Sequence, residues 1–216
     1  MRAMAAPTLN GHEARLLGVL IEKGFTVPDQ YPLTLNSATL GANQKNNRWP
    51  VTDYSMAEVH VAMQGLVMKH LAGRVQESGQ RVEKYRHNGH ESLGLDDGAL
   101  AVLAELLMRG PQQPGELRTR ADRMVSLPTL EKLTEKLARL MEKGYAKRID
   151  PLPGERAERY VQLLCADAHP LDVAGPVASK PAAAPRADLE ARVLTLENEL
   201  RALREKLDAL SKSLGV

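Results

Sequence analysis

The side chains of this chain that could do chemistry are mainly cations and amides suited to contacting a duplex nucleic acid. Lys and Arg neutralise backbone phosphates, while Arg and Gln pair with base edges in the major groove. The candidate nucleic-acid contacts are Lys45, Arg48, Gln64, Arg81, Lys84, Arg86, Arg118, Arg120, Arg123, Lys132, Lys136, Arg139, Arg156 and Arg159. An ordinary surface position or an intramolecular salt bridge is the alternative interpretation for each cation.

Two of these candidates, Lys45 and Arg48, lie in the Asn- and Gln-rich segment Asn43–Pro50. Asn and Gln side chains fit adenine edges. In a turn before a helix they also bond to the local backbone, and that local role is the favoured interpretation.

Residue patterns for catalysis are missing from the sequence. It has no phosphate-cradling glycine loop, nucleophile elbow or paired-acid motif. His87 and His90 have only Glu91 as a nearby acidic partner, which is a poor metal-ligand set. We therefore expect no catalytic residue, no metal and no cofactor, and we predict that the protein is not an enzyme.

The candidate residues are carried by a pattern that occurs twice, in residues 13–85 and 100–160. Leu20–Gly24 is followed four residues later by Pro28, as Leu106–Gly110 is by Pro114. Leu66–Ala72 and Leu140–Ala146 also correspond, and both copies end in an Arg-x-Glu-basic-Tyr motif. A repeat of about 70–80 residues is long enough to close its own core.

Each copy predicts three helices followed by a β-hairpin, which is a winged helix-turn-helix. In the first copy, Gly24 is expected to end the first helix in a left-handed cap. The second helix is predicted at about Leu33 to Ala42, and Ser55 with Glu58 forms a capping box for the third. The predicted strands are Leu71–Val75 and Arg81–Arg86.

In the second copy the helices are predicted at about Asp97–Arg109, Pro114–Arg123 and Ser126–Lys143, with strands Tyr145–Ile149 and Glu158–Leu164. A winged helix places its third helix in the major groove and its wing on phosphates. The third helix of the first copy offers few cations, and Gln64 is its candidate base contact. Charges in the third helix of the second copy alternate in sign, which is typical of a solvated face.

A Pro- and Ala-rich linker is predicted for residues 166–187, followed by a coiled-coil helix over 188–215. The heptad positions, which are the predicted oligomerisation residues, are Leu189, Val193, Leu196, Leu200, Leu203, Leu207, Leu210 and Leu214. We expect a homodimer through this helix. The alternative is a helix that folds back on its own domains.

The predicted fold class is therefore α+β, mainly α with small β-hairpins. Two tandem winged-helix domains, residues 9–92 and 96–165, precede the linker and the coiled coil. The single cysteine, Cys165, excludes an intrachain disulfide. With no signal peptide and no apolar run near the roughly 20 residues of a bilayer span, we expect a cytoplasmic protein away from membranes.

Charge does not select one class of partner. Residues 1–95 hold 10 Lys and Arg against 8 Asp and Glu, and residues 96–168 hold 12 against 12. A dedicated nucleic-acid binder usually carries a visibly basic domain. Two hypotheses stay open: a DNA-binding or DNA-associated regulator, which is the leading one, and a protein assembly module that makes no direct DNA contact.

Four strings of the chain closely resemble the YceH-like family of uncharacterised bacterial proteins. They are Asp29–Asn36, Asn43–Val51, Arg109–Arg120 and Pro153–Tyr160. The resemblance covers roughly residues 9–165 and implies a tandem winged-helix fold in a bacterial cytosol. The family brings no catalytic residues to carry over, and Trp49 stands where an acidic residue is expected.

Overall fold

The computed structural model describes residues 6–76, 82–151, 157–169 and 171. Within them the protein is α+β, with seven α-helices and small antiparallel sheets. The predicted coiled-coil segment 188–215, with all its oligomerisation residues, lies outside the described residues, as do Arg81 and Arg156.

The first repeat runs from helix to hairpin in the predicted order. Its elements are α1 (Gly11–Thr26), β1 (Leu33–Thr34), α2 (Leu35–Ala42), α3 (Met56–Met68), β2 (Ala72–Val75) and β3 (Lys84–His87). The predicted capping box of Ser55 and Glu58 is confirmed at the start of α3. A short helix, α4 (Gly89–Leu93), then leads into the second repeat.

The second repeat has the same order. Its elements are α5 (Asp97–Arg109), α6 (Pro114–Ala121), α7 (Leu130–Glu142), β4 (Ala146–Ile149) and β5 (Arg159–Gln162). The predicted bounds of α5 are confirmed, and Gly110 ends this helix with a φ of 73°.

Three local predictions were wrong. Gly24 does not end α1, which continues to Thr26, where the backbone N–H of Val27 donates to the carbonyl oxygen of Lys23. Leu33 and Thr34 form β1 rather than the start of α2. Helix α7 begins at Leu130, four residues later than predicted, because Thr129 caps it through the backbone N–H of Lys132.

The two repeats share the same pairing of residues between strands. In the first repeat β1, β3 and β2 are neighbours in that order, and Leu33 pairs with Tyr85. In the second, β4 pairs with β5, and an isolated bridge joins Gln112 to Tyr160. Tyr85 and Tyr160 end the same motif in the two repeats, so the segment before each second helix meets the same strand position.

One hydrophobic core serves both repeats. Residues 13–22 of α1 and 98–108 of α5 are buried on every side of their helices. The two helices pack at Gly18, where an added Cβ would lie 2.7 Å from Met108 Cγ and 3.3 Å from the carbonyl oxygen of Ala104. A helix buried all round belongs to a core rather than to a surface, so α1 and α5 form the centre of the molecule.

Residues 1–175 form one compact unit. Both segments predicted as separate domains, 9–92 and 96–165, lie in this unit, and their boundaries stay a prediction. Among the described residues, no helix has the length and apolar character to cross a bilayer.

Candidate functional site

Arg48, a predicted DNA contact, is buried against α1 instead of projecting from its turn. Its side chain has no exposed surface and pairs with Glu22 of α1, which is also buried. Its Nε donates to the carbonyl oxygen of Gly41 at 3.0 Å, and Nη2 donates to Gln44 Oε1 at 3.0 Å. Arg48 thus uses its guanidinium group to fix the turn onto α1.

Arg123, a second predicted contact, joins the two repeats. Its Nη2 lies 2.5 Å from Glu22 Oε1 in α1 and 2.7 Å from Glu105 Oε1 in α5. Arg109 completes the cluster, with Nε 3.1 Å from Glu105 Oε2 and Nη2 donating to Asn47 Oδ1. We call Glu22, Arg48, Glu105, Arg109 and Arg123 the inter-repeat ion cluster.

The electrostatics of this cluster favour the charged forms of Glu22 and Arg123. Burial alone would raise the pKa of Glu22, but the hydrogen bonds and charge of Arg48, with the charge of Arg123, outweigh it and hold that pKa below the ordinary value. Burial likewise opposes the charge of Arg123, yet Glu105 and Glu22 raise its pKa. The Glu22 carboxylate is therefore ionised and held by two arginines, and Glu105 lies within ion-pair distance of Arg109 and Arg123.

Two more of the predicted cations are buried outside this cluster. Arg120 donates from Nη1 to Gln112 Oε1 at 2.6 Å, and Arg159 donates from Nη2 to the carbonyl oxygen of Leu171 at 2.9 Å. Arg118 is half-buried and donates to the carbonyl oxygen of Leu127 at 3.1 Å. The structure therefore places these three arginines in intramolecular roles.

The cations of α7 lie in surface pairs. Lys132 Nζ is 3.0 Å from Glu135, and Arg139 Nη1 is 2.6 Å from Glu142, both one helical turn away. Lys136 Nζ reaches Asp96 at 2.9 Å. Exposed pairs of this kind contribute at most about 1 kcal/mol each and leave the helix face mixed in charge.

Helix α3 contains neither Lys nor Arg. Gln64, its predicted base contact, is exposed and hydrogen-bonds His60 at 3.2 Å. Lys69, directly after the helix, lies 2.5 Å from Glu13 of α1. The third helix of the first repeat thus presents no cationic face.

Exposed cations occur on the turn and the hairpins. Lys45 and Arg86 are exposed, Lys84 is half-buried, and Lys147 of β4, which the sequence interpretation did not single out, is exposed as well. Arg74 of β2 and Arg148 of β4 lie within ion-pair distance of Glu83 and Glu158.

The exposed side of α3 carries a mainly apolar stripe, which sequence reasoning did not single out. Val61 and Met68 expose 69% and 79% of their surface. With Ala57 and Gln64 they form one stripe along the helix, spaced four, three and four residues apart. We call these four residues the α3 face.

Helix α7 shows what the equivalent surface looks like when it is solvated. The buried positions Val59, Met63 and Leu66 of α3 correspond to Leu133, Leu137 and Leu140 of α7, an offset that the repeat alignment also gives. At the same offset, the counterparts of Ala57, Val61, Gln64 and Met68 are Glu131, Glu135, Ala138 and Glu142. Three carboxylates in one copy are thus replaced by apolar side chains in the other.

A cavity of about 310 Å³ borders the α3 face. It is lined by Asn10 and His12 at the start of α1 and by Ala57, Glu58, Val61 and Ala62 of α3. Its walls are mainly apolar, although Asn10, His12 and Glu58 contribute to them. An apolar side chain from another molecule fits this chemistry.

A larger open cavity of about 660 Å³ lies in the second repeat, where His90, Asp96, Asp97, Lys132 and Lys136 are among its lining residues. Its polar side chains have partners within the protein, since His90 Nε2 lies at hydrogen-bond distance from Asp97, 2.7 Å, and Lys136 is paired with Asp96. Among the described residues, no three His, Cys, Asp or Glu side chains form a group that could hold a metal ion.

A signal for the missed residues was present in the sequence. Glu22 and Glu105 are single carboxylates within otherwise apolar helical runs, which indicates a buried partner of opposite charge. The α3 face could have been found by aligning the two third helices, because one carries a single charged residue and the other carries six.

A sequence model of the family described as "Protein of unknown function, DUF480" matches residues 9–166. The chain is 40% identical over 217 residues to a UPF0502 protein of Shewanella sp. (strain MR-7), covering 94% of this chain and 98% of that one. It is 44% identical over 207 residues to a UPF0502 protein of Mesorhizobium japonicum, with 94% and 97% covered. It is 39% identical over 214 residues to the UPF0502 protein YceH of Escherichia fergusonii, with 96% and 98% covered. The resemblance to the YceH-like family is confirmed.

Proposed function

The chain belongs to the DUF480 family, and we propose that it is a non-enzymatic protein-binding module. Each repeat is a winged helix in this proposal, and the α3 face binds another protein chain. The observation that carries the proposal is the contrast between α3 and α7, since α3 exposes Ala, Val and Met at three positions where α7 has glutamate.

Val61 and Met68 are the large exposed hydrophobic residues of the α3 face. Burial of a side chain of this size from water is worth about 1.5–3 kcal/mol, and both are more than two-thirds exposed. Covering the pair would therefore contribute several kcal/mol to a complex, in addition to any anchor that fills the neighbouring cavity. Single exposed apolar residues are common on proteins, but here they share one helix stripe beside a cavity.

The same face is poorly suited to DNA. A recognition helix in the major groove lies between two phosphate backbones, which attract Lys and Arg. Helix α3 has neither, and its charged residue Glu58 would be repelled. In α7 the glutamates that pair with Lys132 and Arg139 would face phosphate too.

The test compares full-length tagged baits in a cell extract. The baits are the unaltered chain, a Val61→Glu/Met68→Glu variant, and an Ala138→Glu control, which adds a carboxylate to the matching stripe of α7. We expect the unaltered chain and the control to retain the same partner chain in stoichiometric amount, and the α3 variant to lose it. Equal retention by all three baits would refute the α3 face as the binding surface.

Duplex DNA is the second candidate, supported by the exposed cations Lys45, Arg86 and Lys147. In this alternative the hairpins and the turn contact phosphates while the third helices stay outside the groove. Binding of a random duplex by the full chain would then weaken steeply with salt, in proportion to the number of phosphates neutralised. Substitution of Arg86 and Lys147 by Gln would reduce the salt slope by about 2, whereas the α3 variant would bind like the unaltered chain.

A further inference from the structure

We propose that the occupant of the α3 face is a second copy of this chain, with the two α3 helices packed antiparallel across a two-fold axis. The inference rests on the proposed function, because it names the partner of the same surface. Two-fold dimers are the commonest symmetric oligomers, and their interface must be complementary to itself.

The spacing of the α3 face is that of a helix-pairing seam. Ala57, Val61, Gln64 and Met68 follow each other at intervals of four, three and four residues. This alternation is the a and d pattern by which two helices interlock. Because the four residues are exposed, the seam is available to a helix of the same pattern.

Side-chain size makes the seam complementary to itself. When α3 is laid antiparallel on its copy about a centre between Ala62 and Met63, Ala57 lies opposite Met68 of the second copy. Val61 then lies opposite Gln64 of the second copy. The smallest residue of the seam thus meets its longest apolar one, which is how facing helices fill the space between them.

Charge favours the same orientation. Glu58 is exposed near the start of α3, and Lys69, which keeps 35% of its side chain exposed beside Glu13, follows the end of the helix. An antiparallel pair brings each Glu58 toward the end of the other helix that carries Lys69. A parallel pair would instead bring the two Glu58 carboxylates together.

The size of the seam predicts a reversible contact. Helix α3 has 13 residues, or about 20 Å at 1.5 Å per residue. One such helix pair buries less than the roughly 1,200 Å² of a stable interface. The heptad pattern of residues 188–214 independently predicts self-association, and a second contact raises the effective concentration of the first.

The test is site-specific cross-linking of the full chain through a cysteine at position 61. Cys165 is buried, and burial raises the pKa of its thiol, so the native cysteine stays unreactive. Val61→Cys is compared with Glu135→Cys, the matching position of α7, using a short bismaleimide reagent. We expect a covalent dimer from Val61→Cys at least about 10-fold faster than from Glu135→Cys, which would correspond to about 1.4 kcal/mol of preference.

Adding Met68→Glu to the Val61→Cys chain should abolish that excess, since it places a carboxylate opposite Ala57 of the second copy. Equal rates for positions 61 and 135, or no dimer at either, would overturn the second-copy proposal. If the α3-dependent retention of a different protein is seen together with that result, the proposed function stands and only the identity of the occupant is wrong. If neither faster cross-linking at position 61 nor α3-dependent retention of a partner is seen, both proposals are rejected.

Discussion

At the scale of single residues, the buried carboxylate of Glu22 links the two repeats. It accepts from Arg48 of its own repeat and from Arg123 of the other, a residue 101 positions away. Removing one partner from a buried ion pair leaves an uncompensated charge, which costs more than the pair itself contributes. Glu22 is thus the residue on which the inter-repeat ion cluster most depends.

Glu22→Gln is expected to lower the free energy of unfolding at pH 7 by about 3 kcal/mol, because the fully buried Arg48 loses its counter-charge. The pKa of Glu22 is depressed in the folded state, so its stabilising effect is present above the ordinary carboxyl pKa of 4.5 and is lost as the pH falls below that value. Chemical denaturation of the unaltered chain and of the Glu22→Gln variant between pH 7 and pH 3 measures the difference between their free energies of unfolding. That difference should narrow on acidification.

Glu135→Gln serves as the control for that experiment, since Glu135 pairs with Lys132 on the surface and contributes about 0.5 kcal/mol or less. A Glu22→Gln protein as stable at pH 7 as this control would contradict the assigned role of the cluster. A difference that grows with acid would contradict the depressed pKa.

At the scale of elements, the crossing of α1 and α5 depends on the missing side chain of Gly18. Gly18→Val should lower the free energy of unfolding by about 1–3 kcal/mol, because its methyl groups meet Met108 and the backbone of Ala104 in a close-packed core. The matched control is Gly115→Val in α6, where an added Cβ meets nothing within 4 Å. Equal stability of the two variants in thermal unfolding would show that the helices do not cross here.

The α3 face should tolerate charge without loss of the fold. The Val61→Glu/Met68→Glu variant is expected to unfold within about 0.5 kcal/mol of the unaltered chain, because exposed substitutions away from caps and cores have small effects and α7 carries Glu at both matching positions. Circular dichroism melting checks this. A loss of several kcal/mol would mean that the face is covered by the same chain.

The elements show how much the sequence could predict. The limits of α5 were predictable because its cap, its apolar period and Gly110 are local signals. The end of α1 was not, since Gly24 is a packing site for Tyr31 and His87, which approach from other elements. Likewise nothing local distinguishes buried Arg48 from exposed Lys45, because the difference lies in which side chain faces α1.

At the scale of the whole molecule, one core and one ion cluster join both repeats, although the duplicated pattern predicted two domains. Residues 9–165 are therefore expected to unfold in a single cooperative transition, with equal calorimetric and van't Hoff enthalpies. Differential scanning calorimetry checks this expectation. Two resolved transitions, each with about half of the unfolding enthalpy expected for residues 9–165, would show that the repeats unfold independently.

The pairing of these cations within the protein decides which surfaces remain for a partner. Most of the cations expected to contact DNA hold the protein together or pair along α7, whereas the α3 face is left apolar and exposed. Under the proposed function, another chain covers this exposed apolar stripe and the cavity beside it.

The most direct measurement is photo-cross-linking of the full chain inside the cells that express it. A benzophenone amino acid is placed at position 61 in one protein and at position 135, its solvated counterpart, in another. We predict a discrete protein adduct from position 61 and none above background from position 135. No adduct at position 61, or the same adducts at both positions, would contradict the claim that α3 is the protein-binding surface.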